Sequence, residues 1–558
     1  MKLNYFPYTL TLSVLLLSVT SFAQDKPEEK KAEKTPGSLT EEIVVERPYK
    51  PVLADASKIR RSPDLSTSRI FKTKLNYTIL DKKLELNSDI RQLQAQTLSQ
   101  GPVAPLRNNY AKLGLGNFST GLAELYVNTG ADEALQAGAF VKHLNQEGSL
   151  NKQQFSRQEI GVFGKSVMDK ITLNGEIGFD RYSTFFYGTN RDTSLNFNND
   201  PQKQRYGTFT LKGELIKNYV EGAESDYALK ADAYLLSDKF DVKENSIAFS
   251  GFFNKNWEQF NIGLNTSADF TQTKDSVNSI GNHIFRLNPY VKVQGASYKI
   301  AVGVNIVQEF GDSSRFNLFP AITAEVPIVP EFATVFGGFT GNINKSSVRE
   351  FSGENPYLNP GISIRNAVEK TNIYGGIKGN AGAGFGYKAM LFYKKIEGMP
   401  LFLNNPARPE RFDVIYDDSK VTGLEGEISV KVSEAFSWLG KININNYSMD
   451  TQENAWFLPE FRLSSAARLN IKKKFTIDGE IVVNDETSAL VYPSGLSSAP
   501  SIVKVKSYVD FSAGAEYLYK EKIGIFLRAN NIFGTKYERY LYYPKVGLNI
   551  IGGLNYSF

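Results

Sequence analysis

The chain has 558 residues, 41% hydrophobic and 13% aromatic, with 45 Gly, no Cys and 2 His. That composition is neither disordered nor collagen-like, and it leaves no disulfide framework, thiolate zinc site or cysteine nucleophile. The formal charge is +5, from 64 basic and 59 acidic groups, a near balance that does not point to nucleic acid as a partner.

The first predicted element is a targeting segment. Lys2 opens a short basic region, and the apolar run Leu10–Val19 follows. Small residues at Ser21 and Ala23 then precede Gln24, the pattern of a cleaved secretory signal with cleavage expected between Ala23 and Gln24. The apolar run is too short to span a bilayer, which takes about 20 residues. No later stretch reaches that length. A membrane location therefore requires a closed barrel, since lipid cannot satisfy open backbone groups.

Residues 24–107 come next. Asp25–Pro36 is charged and aperiodic, and reads as a disordered linker. Within 40–65 a short apolar core, Ile43-Val44-Val45, lies between charges and the prolines Pro48, Pro51 and Pro63. It reads as an extended segment. Leu84–Ser99 fits either a helix or an extended piece.

From 108 to 558 the texture is constant: alternating segments separated by Asn, Asp, Gly and Ser turns. Ile171, Leu173, Ile177 and Phe179 share one face, and Thr172, Asn174 and Glu176 the other. The same holds for Leu424, Ile428 and Val430 against Glu425, Glu427 and Ser429, and for Ile523, Ile525 and Leu527 against Arg528 and Asn530. Many segments are longer than the five or six residues of an average soluble strand, roughly, and suit the 9–11 or so of a tilted membrane strand. The predicted fold is an all-β, transmembrane, antiparallel barrel of roughly 22 strands after a short N-terminal periplasmic segment. Its expected location is the outer membrane of a Gram-negative bacterium. The last segment places Leu554, Tyr556 and Phe558 on one face and Asn555 and Ser557 on the other. This resembles the insertion signal that outer-membrane barrels present to the barrel-assembly machinery.

Five stretches, in order, carry a wider resemblance. They are Glu354–Pro360 (ENPYLNP), Glu369–Gly376 (EKTNIYGG), Tyr416–Lys431, Leu458–Leu463 (LPEFRL) and Arg528–Tyr537 (RANNIFGTKY). Together they resemble the barrel of TonB-dependent outer-membrane receptors, although Gly361 stands where that family's loop motif ends in Glu. Residues 108–344 fit the family only in pattern. Thr40–Val45 is similar to a TonB box, which makes Glu42, Ile43, Val44 and Val45 the residues expected to pair with TonB. In the family a globular plug follows the box and fills the barrel. The segment up to Arg107 is short and lacks Gly-rich plug signatures, so a plugless or plug-reduced member is expected. Such a barrel would be an open pore unless something else fills it.

Candidate chemistry is sparse. His143 and His283 have no partner at motif spacing, so no catalytic site, metal or cofactor is expected and the chain does not read as an enzyme. The polar faces carry Glu176, Lys212, Glu425, Glu427, Asp478, Glu480, Asp510, Glu516 and Arg528, which suit either a substrate path or a salt-bridged lumen. Tyr182, Phe185, Phe186, Tyr187, Tyr540, Tyr542 and Tyr543 suit ligand-binding outer loops or an interfacial girdle. Two functions follow: import or passage of a solute, as the resemblance implies, or a structural subunit of a multi-protein outer-membrane complex. Membrane lipid is an expected partner in both.

Overall fold

A computed structural model describes residues 109–558, apart from 131–133, 189–199, 219–223, 296, 331, 383 and 494–498. The predicted signal segment, the linker and the TonB-box-like strand lie outside the described residues, as does whatever would stand for a plug.

The first strands are β1 (Tyr110–Gly116), β2 (Thr120–Asn128), β3 (Leu135–Glu147), β4 (Gln154–Val167), β5 (Ile171–Phe185), β6 (Lys203–Lys217), β7 (Ser225–Ser237) and β8 (Lys243–Trp257). They are followed by β9 (Phe260–Lys274), β10 (Ser279–Gln294), β11 (Lys299–Gly311), β12 (Arg315–Val329) and β13 (Ala333–Asn344), then by a short helix α1 (Val348–Glu354). The chain continues with β14 (Ala367–Asn380), β15 (Phe385–Asn404), β16 (Phe412–Ser433), β17 (Phe436–Met449), β18 (Phe461–Ile471) and β19 (Phe475–Asn484). A small hairpin, β20 (Thr487–Val491) and β21 (Ser501–Val505), precedes β22 (Tyr508–Tyr519), β23 (Ile523–Asn530) and β24 (Asn549–Ser557).

Apart from that hairpin, every strand joins one antiparallel sheet of 22 strands. The sheet closes on itself where β1 pairs with β24, from Tyr110 opposite Ser557 to Gly116 opposite Ile551. Closure removes the free edges that lipid could not satisfy. The alternation predicted from the sequence is the alternation observed. Leu113, Ile177, Phe209, Leu391, Ile477 and Leu527 are exposed on the outer face, which is the apolar belt of a barrel that spans an outer membrane. Leu554, Tyr556 and Phe558 share that face, at 57%, 43% and 45% exposure, while Asn555 points inward at 3%.

The inner face is polar and ion-paired. Lys212 meets Glu176 at 3.0 Å, Lys441 meets Glu427 at 2.8 Å, and Arg528 meets Asp478 at 2.7 Å. Tyr537 donates to Asp510 at 2.6 Å. Two of the inward aromatic rings each lie over a glycine on the adjacent strand. Tyr290 covers Gly263, and a Cβ at Gly263 would stand 2.1 Å from its ring. Tyr374 covers Gly338 in the same way. Glycine here is needed because the ring occupies the volume a side chain would take.

The two ends of the barrel differ. At the end holding Asn109 and Phe558, adjacent strands are joined by short turns such as Glu258–Gln259 and Lys472–Lys474. At the other end the connections include 186–202, 345–366, 450–460, 485–507 and 531–548. Short periplasmic turns and long extracellular loops are the pattern of outer-membrane barrels, so the long-loop end is the outer mouth.

Candidate functional site: a lid across the outer mouth

The largest hydrophobic core lies outside the wall, among the long loops. It is built on Phe186, Val348, Phe351, Tyr357, Leu358, Leu401, Phe402, Phe412, Trp456, Phe457, Tyr540 and Tyr543. Phe412 is 0% exposed, Phe186 1% and Trp456 2%. These residues come from the β5–β6, β13–β14, β15–β16, β17–β18 and β23–β24 connections, so loops from opposite sides of the barrel meet over the mouth as one packed lid. Each fully buried large apolar side chain contributes roughly 1.5–3 kcal/mol, which makes such a core a structural unit and not a set of loose connections.

The longest hairpin builds the middle of the lid. β15 has 20 residues and β16 has 22, more than a membrane crossing requires. Their pairing slips between Ile396 and Met399, where Gly398 takes φ 65° and its N–H donates to Asp418 at 2.8 Å. A bulge of this kind bends the ribbon. Beyond it, the tip between Leu401 and Val414 packs in the lid core. Arg411 then reaches the far side, donating to Gln202 at 2.6 Å, with its guanidinium 4.6 Å from the ring centre of Phe186 and 4.8 Å from that of Phe240.

Loop 345–366 holds the ENPYLNP motif and is fixed to the wall by buried polar groups. Ser347 caps α1 by accepting from Glu350 N–H at 3.1 Å. Glu244 on β8, 0% exposed, accepts from the N–H groups of Val348 and Arg349 at 2.8 and 3.0 Å and from the Thr273 hydroxyl at 2.8 Å. A carboxylate at this end of a helix satisfies donors that have no partner inside it. Lys345 pairs with Asp269 and Thr271 on β9. Burial pushes the Lys345 ammonium below the ordinary lysine value, and Asp269 opposes that shift. At the other end of the loop, Asn366 donates to Glu309 at 2.7 Å, and Arg315 grips the same carboxylate through two nitrogens at 2.5 and 3.0 Å.

The motif itself faces the opposite loops. Asn355 closes α1 and is 0% exposed. Tyr357 stacks on Tyr543, and Tyr187 stands edge-on to Tyr543 at 5.0 Å. Tyr206 donates to Pro356 O at 3.2 Å and Tyr540 to Glu354 O at 3.2 Å. Gln153 and Tyr187 both donate to Pro544 O, at 2.7 and 3.3 Å. Burial pushes the phenols of Tyr357 and Tyr543 well above the ordinary tyrosine value, so both stay neutral.

This corrects the two uses offered for the loop aromatics. Phe186, Tyr540 and Tyr543 are neither free ligand contacts nor girdle residues; they are the lid's core. Tyr182 faces inward beside Phe155, and Phe185 lies under Lys152 and Lys203. The signal that could have shown this is the excess of aromatics in segments without period-2 alternation. The histidines stand elsewhere. His143 contacts Asn145 and Gln158. His283 accepts from Thr271 N–H between the rings of Phe270 and Phe310. Both share the outward face of their strands with Val141 and Phe285, so neither meets the other or the lumenal carboxylates. Among the described residues no group of three or more His, Asp or Glu could hold a metal ion.

The sequence matches no protein-family model and no curated protein sequence. Solved structures do match. The chain is similar to the ferripyoverdine receptor of the outer membrane of Pseudomonas aeruginosa, at 14% identity and TM-score 0.61, over 82% of this chain and 72% of that one. It is similar to the FrpB iron transporter from Neisseria meningitidis, at 11% identity and TM-score 0.63, over 84% and 83%. It is also similar to the ferric-catecholate import receptor Fiu from E. coli, at 10% identity and TM-score 0.60, over 81% and 82%. The fold is thus that of the TonB-dependent outer-membrane receptor barrel, as the motifs implied.

Proposed function

We propose that this chain is a receptor-like outer-membrane transporter that imports or passes a solute through a mouth gated by its loops. The carrying observation is the lid, whose hydrophobic core joins loops from opposite sides of a polar, ion-paired lumen. A wide barrel with a polar interior suits a hydrophilic cargo, and the structural neighbours, named for iron and siderophore uptake, make ferric chelates the first class to test. The experiment pairs uptake of ferric siderophores by cells, with and without this chain, with planar-bilayer conductance of the purified barrel. Phe412→Ala should loosen the lid, at about 3–5 kcal/mol for loss of a core Phe, and raise conductance. Unchanged uptake across chelate classes, with unchanged conductance in that variant, would remove the transport reading.

Glu42, Ile43, Val44 and Val45 support an energised mechanism through their likeness to a TonB box. An extended strand of this kind would join a partner's sheet, with backbone hydrogen bonds giving the affinity. Val44→Pro removes one donor and fixes φ. It should abolish TonB crosslinking and leave the barrel folded; full crosslinking would make the segment a tether.

The lid also favours a second reading, since the chain's own buried aromatic side chains fill its core. In that reading the chain is a sealed scaffold subunit of an outer-membrane complex. Stable copurification of partner proteins, together with no uptake defect, would select it.

A further inference from the structure

Arg411 is a buried charge without a counter-ion. It sits at the tip of the β15–β16 hairpin at 5% exposure, and no carboxylate makes an ion pair with it among the described residues. Burial disfavours its charge and Arg408 adds repulsion, while Glu410, its neighbour in the chain, attracts it without pairing. Asp238, on the loop that carries Phe240, is engaged elsewhere. It accepts from the N–H groups of Phe240 and Val242 at 2.7 and 2.9 Å and from Gln204 at 3.0 Å. Asp200 and Asp241, on the two facing loops, are exposed to solvent. A buried charge without a partner is costly, so a guanidinium kept in this position calls for an anion.

The geometry leaves one edge of the guanidinium for it. Its carbon stands 4.6 Å from the ring centre of Phe186 and 4.8 Å from that of Phe240. The rings attract the cation but offer its N–H groups no acceptor. Nη2 donates to Gln202 Oε1 at 2.6 Å, and Nε, on the same edge of the planar fork, has no acceptor. Gln202 is exposed, so the one neutral acceptor on that edge can be displaced from outside. A carboxylate or phosphate takes both N–H groups of such an edge, with charge assistance that an amide oxygen cannot give.

We infer that Arg411 is an oxyanion site: the carboxylate or phosphate group of a small solute displaces the Gln202 amide, accepts from Nε and Nη2 together, and locks the hairpin tip onto the β5–β6 and β7–β8 connections. The lid is then held most firmly when that anion is present outside the cell. The assignment rests on the lid and not on transport, so lid protection and solute uptake fail independently.

The test uses the full-length barrel in detergent and follows cleavage of the outer loops by proteinase K during titration with inorganic phosphate or citrate. Sodium chloride at matched ionic strength is the control, and heat-modifiable mobility checks folding of each variant. Cleavage of the parent should slow about tenfold for each tenfold rise in oxyanion above the midpoint. Arg411→Met should abolish that dependence. Arg411→Lys, which keeps the charge and loses the fork, should raise the midpoint at least about tenfold, and Gln202→Ala should lower it roughly fivefold. Arg408→Gln, at an exposed arginine of the same tip, should behave as the parent. Protection by phosphate assigns the site to free ions, and protection by citrate alone assigns it to a carboxylate on a larger solute. No protection by either oxyanion, equal protection by chloride, protection surviving in Arg411→Met, or a loss in Arg408→Gln matching that in Arg411→Lys would each overturn the assignment.

Discussion

Tyr543 lies face to face with Tyr357, ring centres 3.6 Å apart and planes 19° apart. One ring belongs to the β23–β24 loop and the other to the β13–β14 loop, so the stack ties together two parts of the mouth remote in sequence. Tyr543 also donates to Glu410 O on the long hairpin.

The stack gives the lid a pH limit. Burial raises both phenol pKa values. A raised value means that the closed lid holds these protons more tightly than the open one. The resulting stability is complete below the ordinary tyrosine value of about 10 and is lost as pH rises above it. Conductance of the purified barrel should therefore stay low through neutral pH and rise at strongly alkaline pH. Tyr357→Phe/Tyr543→Phe should move that onset higher, and an unmoved onset would place the sensitive group elsewhere.

The Lys345–Asp269 pair predicts an asymmetry. Both side chains are nearly buried, at 9% and 12% exposure. Asp269→Asn leaves a buried ammonium without its counter-ion and should destabilise the lid by about 3–5 kcal/mol. Lys345→Met with Asp269→Asn removes both charges and should recover most of that loss. Limited proteolysis of the outer loops reads the difference; equal sensitivity in the single and double variants would show that the pair does not hold the loop.

Gly263 makes room for Tyr290. Gly263→Ala should force the ring off the wall into the lumen, at roughly 1–3 kcal/mol for an overpacked site. Adding Tyr290→Ala should relieve the clash. The thermal midpoint of the heat-modifiable band measures both, and a single variant as stable as the parent would show that the ring moves at no cost.

Phe558 tests assembly. Leu554, Tyr556 and Phe558 form an outward face, and the rings of Tyr556 and Phe558 stack at 5.4 Å. If this face is what the assembly machinery reads, Phe558→Asp lowers outer-membrane levels and leaves chain in the periplasm. Fractionation followed by a heat-modifiability gel shows it, and parental levels would remove the signal from this strand.

The wall was legible in the sequence because a strand with lipid on one side and water on the other must alternate. Ile523, Ile525 and Leu527 against Arg528 and Asn530 show that rule, and the structure keeps their faces. The lumenal charges were legible for the same reason, although their pairing was not: Arg528 meets Asp478 across strands far apart in the chain. The lid was hidden because its core follows no period. Phe186, Phe412 and Tyr543 lie near turns in separate loops, and only the closed barrel brings them together. A reading of local pattern places such aromatics at a membrane interface, where Tyr and Trp do gather.

The uneven strand lengths have a mechanical meaning. The wall is stitched by 20- and 22-residue strands at β15 and β16, but by strands of 7, 8 and 9 residues at β1, β23 and β24. A tip pulling on the C-terminal end in a force measurement therefore meets the shortest ladders first and should unzip the β23–β24 hairpin at low force. The β15–β16 ribbon, with the lid folded onto it, would be the last region to yield, so the extension trace should rise from weak steps to strong ones.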